Sequence, residues 1–162
     1  MKVLVDTSVW SLALRRQETA EGPEVSELIE LIRELRVQMI GPVRQELLFG
    51  IKSRTQFSKL RDHLRAFPDL ELTSRDYESA AEFHNRCRGK GVQGSNIDFL
   101  ICAVAARLKM PVFTTDADFF LFRQHLPITL HSPAASISRF YEKVPRSPAA
   151  MVRIFKQWEC RR

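Results

Sequence analysis

Apolar positions along this chain fall into short unbroken runs separated by longer stretches at helical spacing. Val3-Leu4-Val5 is a β-branched run without alternation, the pattern of a strand covered on both faces of a parallel sheet. Asp6-Thr7-Ser8 then opens a helix through Leu14. In residues 23–35, Val25, Leu28, Ile29, Ile32 and Leu35 recur at helical spacing, and Pro23 suits a first turn. Val37-Gln38-Met39-Ile40 reads as a second strand; Gly41-Pro42 breaks it and starts a helix that Gly50 ends. Residues 55–66 are helical, with Phe57, Leu60 and Leu64 on one side, and a weak strand follows at Leu70-Glu71-Leu72.

The second half continues the alternation. Residues 75–88 form a polar amphipathic helix and 89–94 a glycine loop. Ile97 to Leu108 is apolar nearly all round and predicts a buried central helix. Val112-Phe113-Thr114 is a further strand, a short helix starts at Phe119, and Ile128-Thr129-Leu130 reads as an edge strand. Strands alternating with helices imply right-handed crossovers and a parallel sheet. The predicted class is α/β: a three-layer α/β/α sandwich around a mostly parallel sheet of four to five strands.

A chain of 162 residues favours one compact domain, able to bury roughly 70% of its unfolded surface. No apolar run approaches the roughly 18 residues of a membrane span, and Asp6 interrupts any signal-peptide apolar region, which points to the cytoplasm. The three cysteines Cys87, Cys102 and Cys160 make neither a disulfide framework nor a CxxC site, and Cys102 reads as a small core residue. The four histidines lack HxxxH spacing. Net charge is +6; seven of the 25 Lys/Arg fall in residues 139–162 against two of the 19 Asp/Glu, so the rest of the chain is nearly neutral. Such an excess suits a polyanionic partner. Gly89-Lys90-Gly91-Val92-Gln93-Gly94 matches G-x-G-x-x-G, but it follows a helix, and the dinucleotide fingerprint must follow a strand. It reads as a plain interhelical turn.

Ligands of open parallel sheets bind beyond the carboxyl ends of the strands. Asp6 and Asp116 stand there directly, Glu46 follows the second strand by about one and a half helical turns, and Asp98 lies in the first turn of the buried helix. Each alone has a plainer reading. Asp6 suits an N-cap, Ser95-Asn96-Ile97-Asp98 is close to a capping box, and Glu46 suits an exposed helix position. Asp118 reads as the cap of the last helix, which leaves Asp116 without that explanation. Together, four converging carboxylates repel one another, and a divalent cation removes that cost. Hard oxygen donors without His or Cys suit Mg²⁺ or Mn²⁺, which can orient a phosphodiester and lower the pKa of a bound water.

Four stretches in order, Val5-Asp6-Thr7-Ser8, Glu46 to Gly50, Asp98 to Ala105 and Thr114 to Phe119, resemble the PIN-domain nucleases and, within them, the VapC-type toxins. The resemblance covers about residues 1–132, leaving 133–162 as a basic C-terminal extension. It implies a magnesium-dependent endoribonuclease, with manganese able to substitute. Asp6 and Asp98 would be leading metal ligands, Asp116 would complete the cluster, and Glu46 would position metal or water. It also implies hydrogen-bonding support from Thr7, Ser95 and Thr114, an RNA substrate, a cognate VapB-type antitoxin and a homodimer. Cys102 stands where the family usually has alanine. Two alternatives stay open: a PIN-domain RNA-processing nuclease without an antitoxin, and a non-catalytic RNA-binding module. A phosphatase with an aspartate nucleophile fits poorly, because D-x-D would need an acid where Ser8 stands. Arg44, Lys52, Arg54, Lys59, Arg61 and Arg65 are candidate phosphate contacts.

Overall fold

The computed structural model describes residues 1–14 and 22–133. The basic stretch 139–162 and Cys160 lie outside the described residues. The elements run β1 (Val3–Val5), α1 (Thr7–Leu14), α2 (Pro23–Arg33), β2 (Val37–Ile40), α3 (Gly41–Leu48), α4 (Arg54–Leu64), β3 (Asp69–Leu70), α5 (Ser74–Arg88), α6 (Asn96–Leu108), β4 (Val112–Phe113) and α7 (Asp118–Phe122).

The strands form one four-stranded sheet in the order β3-β2-β1-β4, with every pair parallel. Val3 lies opposite Val37, and Val5 opposite Phe113. All three side chains of β1 are fully buried although successive residues point to opposite faces, so helices cover both sides of the sheet. This is the α/β arrangement expected from the unbroken apolar run. The expected edge strand at 128–130 is reduced to a single parallel bridge between Val112 and Leu130. His131 secures it, donating its backbone N–H to the Val112 carbonyl and pairing its Nε2 with Glu27 Oε1 of α2 at 2.7 Å.

Helix α6 is the central helix: Phe99 through Ala105 are all buried, so no polar face is left. It packs most extensively against α5. A buried pair clamps these two helices, Arg107 Nε donating to Asp76 Oδ1 at 2.6 Å. Asp76 also accepts from the Thr73 backbone N–H and hydroxyl at the start of α5. At the other end of the α5–α6 turn, the glycines are conformational and steric devices. Gly91 adopts φ +76, and Gly94 presses against the rings of Phe122 and Phe99. The expected interhelical turn is what the structure shows. No helix among the described residues is long and apolar enough to cross a membrane.

Candidate active site

The carboxyl ends of β1 and β4 place the first two acids. Because β1 pairs with β4, the Asp6 N–H donates to the Phe113 carbonyl at 2.9 Å and the side chain emerges beside residues 114–116. Asp6 is only 5% exposed, yet both its oxygens are satisfied. Oδ1 accepts from the Thr7 N–H at 2.7 Å; Oδ2 accepts from the Ser8 hydroxyl at 2.6 Å and the Thr114 hydroxyl at 2.8 Å. The cap reading and the site reading of Asp6 therefore hold together.

Thr114 and Ser8 carry the connection to Asp116. Thr114 Oγ1 accepts the Asp116 N–H at 2.9 Å, and Ser8 Oγ accepts the Thr115 N–H at 3.1 Å. Asp116 Oδ1 in turn accepts the Asp118 N–H at 2.9 Å, so Asp116 itself organises the turn into α7. This corrects the expectation for Asp118, which is the first residue of α7 rather than its cap. Ser8 is a supporting residue that the sequence reading did not single out. Only its 107-residue separation from Thr115, closed by the β1–β4 pairing, reveals it.

Asp98 enters from the first turn of α6, held by reciprocal bonds with Ser95. The Ser95 N–H donates to Asp98 Oδ2 at 2.7 Å, and Ser95 Oγ accepts the Asp98 N–H at 3.1 Å. Burial pushes the Asp98 carboxyl up; the Ser95 bonds oppose this, and the charges of Asp6 and Asp116 push it further. The three aspartates thus sense one another. Glu46, exposed on α3, joins through Thr7, whose hydroxyl donates to Glu46 Oε2 at 2.5 Å. Below the cluster, burial raises the Cys102 thiol far above its ordinary range, with Asp98, Cys87 and Asp6 adding to it. Cys102 is an inert core side chain, as expected.

Among the described residues, none of the four acids is ion-paired with a Lys, Arg or His. Asp98, Asp116 and Glu46 each keep one carboxylate oxygen that receives no hydrogen bond among those residues. Uncompensated negative charge and free hard-oxygen donors fit a divalent cation in kind. The spacing is more open than a closed ligand shell, since no three Asp, Glu, His or Cys side chains among the described residues are set to share one ion.

The profile of the PIN domain matches residues 3–123, a span that contains all four acids. The chain belongs to the PIN-domain family. Three solved structures share its fold. The crystal structure of FitAcB from Neisseria gonorrhoeae is 23% identical at a TM-score of 0.66, covering 81% of this chain and 97% of that one. VapBC2 from Rickettsia felis, bound to a DNA fragment from their promoter, is 18% identical at 0.64, covering 81% and 98%. FitAB bound to the IR36 DNA fragment is 20% identical at 0.65, covering 85% and 99%.

Within this PIN domain the candidate phosphate contacts divide. Arg44 is already engaged, its guanidinium clasping both Asp69 oxygens and the Phe67 carbonyl. Arg61 and Arg65 both pair with Asp62. These three serve the local structure of α3, α4 and β3. Lys52, Arg54 and Lys59 are exposed and unpaired among the described residues, so they are the cations of that set available to a polyanion.

Proposed function

We propose that this PIN domain is a divalent-metal-dependent endoribonuclease of the VapC type, hydrolysing RNA phosphodiesters and restrained by a cognate VapB-type antitoxin. The observation that carries the proposal is the meeting of Asp6, Asp98 and Asp116, with Glu46 tied in through Thr7, beyond the carboxyl ends of β1 and β4. The likeness to FitAcB and VapBC2 supports the toxin–antitoxin setting, and with it a homodimer. Mg²⁺ is the expected ion, with Mn²⁺ as its substitute.

Each residue has a part that follows from its surroundings. Asp6, Asp98 and Asp116 would hold the ion, which when bound supplies positive charge against the phosphodiester oxygens and acidifies water. Asp6 is fixed by Thr7, Ser8 and Thr114, so one edge of the site is rigid before any ligand arrives. Asp98 is the most labile in charge, because its carboxylate is already disfavoured. Glu46 is exposed, and its Oε1 is free to accept a proton from an attacking water while Thr7 holds Oε2. Exposure at Glu46 and burial at Asp6 give the site a closed floor and an open mouth.

Cleavage of labelled cellular RNA by wild type and Asp6→Asn, each with Mn²⁺ and with EDTA, tests the chemistry. Discrete products are expected only from wild type with metal, with Asp6→Asn slower by at least about a hundredfold, within the range seen when a key stabilising group is lost. Equal cleavage by both proteins would sink the site assignment. Expression in a host lacking the chain's neighbours tests the role: a toxin arrests growth, and Asp6→Asn does not. RNA binding without cleavage by either protein would leave the binding-module reading instead.

A further inference from the structure

The glycine-rich turn before α6 does not cradle a phosphate, yet its last glycine has a steric requirement. A Cβ on Gly94 would lie well inside van der Waals contact of Phe122 Cζ, 3.1 Å from Phe122 Cε1 and 3.2 Å from Phe99 Cε2. The two rings belong to the elements that carry two of the acids. Phe99 directly follows Asp98 on α6, and Phe122 is the last residue of α7, which starts two residues after Asp116. Their centroids are 4.9 Å apart. The row extends in both directions, Phe122 meeting Phe119 at 5.3 Å and Phe99 meeting His84 of α5 at 5.3 Å.

Buried rings packed at interior density are stiff spacers, and a residue without a side chain fixes how closely they approach the backbone. Gly94 is one residue from Ser95, whose N–H and hydroxyl hold the two ends of the Asp98 capping box. Any displacement of Gly94 therefore reaches the Asp98 carboxylate through that box. No direct hydrogen bond between Asp98 and Asp116 sets their separation among the described residues. Packing is left to set it.

We propose that Gly94, Phe99 and Phe122 form a spacer that fixes the first turn of α6 against α7, positioning Asp98 relative to Asp116 for a shared divalent cation. The inference rests on the metal-dependent reading of the site. It makes Gly94 and Phe122 positioning residues that touch neither substrate nor ion. A methyl group at 94 must push α6 off α7 or turn the Phe122 ring, and either opens the gap between the two carboxylates. Shrinking Phe122 should return the room that the methyl takes.

Calorimetric titration of Mn²⁺ into the full chain tests this without using activity. Gly94→Ala is expected to bind Mn²⁺ about tenfold or more weakly, the scale typical of outer-shell changes around metal ligands. Gly94→Ala combined with Phe122→Leu should recover most of the affinity. Leu28→Ala, in the core beneath α2, should lower the thermal midpoint and leave Mn²⁺ affinity unchanged. If Gly94→Ala does not fold, Phe99→Leu takes its place, with the same loss of affinity expected. Wild-type affinity in Gly94→Ala, a loss matched by Leu28→Ala, or no recovery in the double variant would each overturn the spacer. Failure of wild type to bind Mn²⁺ more tightly than Asp98→Asn would instead overturn the metal reading itself.

Discussion

Asp98 shows the conflict inside the site most clearly. It is a capping residue and a buried acid at once, and burial with two like-charged neighbours raises its carboxyl above the ordinary value. A raised folded-state value means that the folded protein holds this proton more tightly than the unfolded chain does. The stability it contributes is fully present below the unfolded value near 3.8 and is lost as pH rises through the raised folded value. At neutral pH the ionised Asp98 therefore works against folding. Asp98→Asn, which keeps the capping oxygen, is expected to raise the metal-free thermal midpoint at neutral pH, each 1 kcal/mol gained reading as about 3 °C. The gain should fade as pH is lowered, and Mn²⁺ should stabilise wild type but not the variant. Scanning calorimetry at several pH values measures both effects. A variant less stable than wild type at neutral pH would show that the capping charge outweighs the repulsion.

At the scale of elements, Asp76 of α5 shows the opposite sign. Burial pushes its carboxyl up, but the Arg107 guanidinium and the Thr73 bonds together outweigh this, and its value is lowered. The stability it supplies is present above the unfolded value near 3.8 and is lost as pH falls through the folded one. Asp76→Ala would strand Arg107 and the Thr73 N–H, and is expected to cost about 3 kcal/mol, near the lower end for a broken buried pair because Arg107 is partly exposed. Acid unfolding of the variant should begin from a lower, flatter plateau; an unchanged acid limb would remove the pair from the account of α5–α6 docking. This clamp was not legible in the sequence, because 31 residues separate its partners and nothing in either helix marks the register. The elements themselves were legible for a physical reason. An unbroken apolar run such as Val3-Leu4-Val5 can only be a covered strand, and the apolar face of α6 closes on itself. Asp6 and Asp116 were legible because they stand where covered parallel strands end. Ser8, the spacer at Gly94 and the capture of Arg44 by Asp69 were not, since each depends on contacts that exist only after the sheet and helices have assembled.

Across the whole molecule, acids and bases are kept apart, and the arrangement of the remaining cations decides how a polyanion would approach. The carboxylates lie at the ends of β1 and β4 and in the first turn of α6, while Lys52, Arg54 and Lys59 project from the segment that follows Glu46 and Phe49. Phe49 itself is 83% exposed, so this segment presents no packed face of its own to the core. Arg44, Arg61 and Arg65 are neutralised by Asp69 and Asp62, which leaves the three unpaired cations as the positive edge beside an uncompensated negative site. A phosphate chain attracted to that edge would pass Glu46 before reaching the buried aspartates. Releasing counterions from such contacts makes binding salt-dependent, with a slope of about 0.7 per phosphate contact on a single strand. Reversing Lys52 and Arg54 to Glu together is therefore expected to weaken RNA affinity and to flatten the slope of log K against log salt by about 1.4. The same reversal at Arg61 and Arg65 should change the slope far less, because those charges are already spent on Asp62. Filter binding of a labelled single-stranded RNA by Asp6→Asn protein, over a salt series and without cleavage, gives both slopes. A slope unmoved by the Lys52 and Arg54 reversal would make this edge a solvated surface and turn the search for the RNA path toward the opposite side of the site.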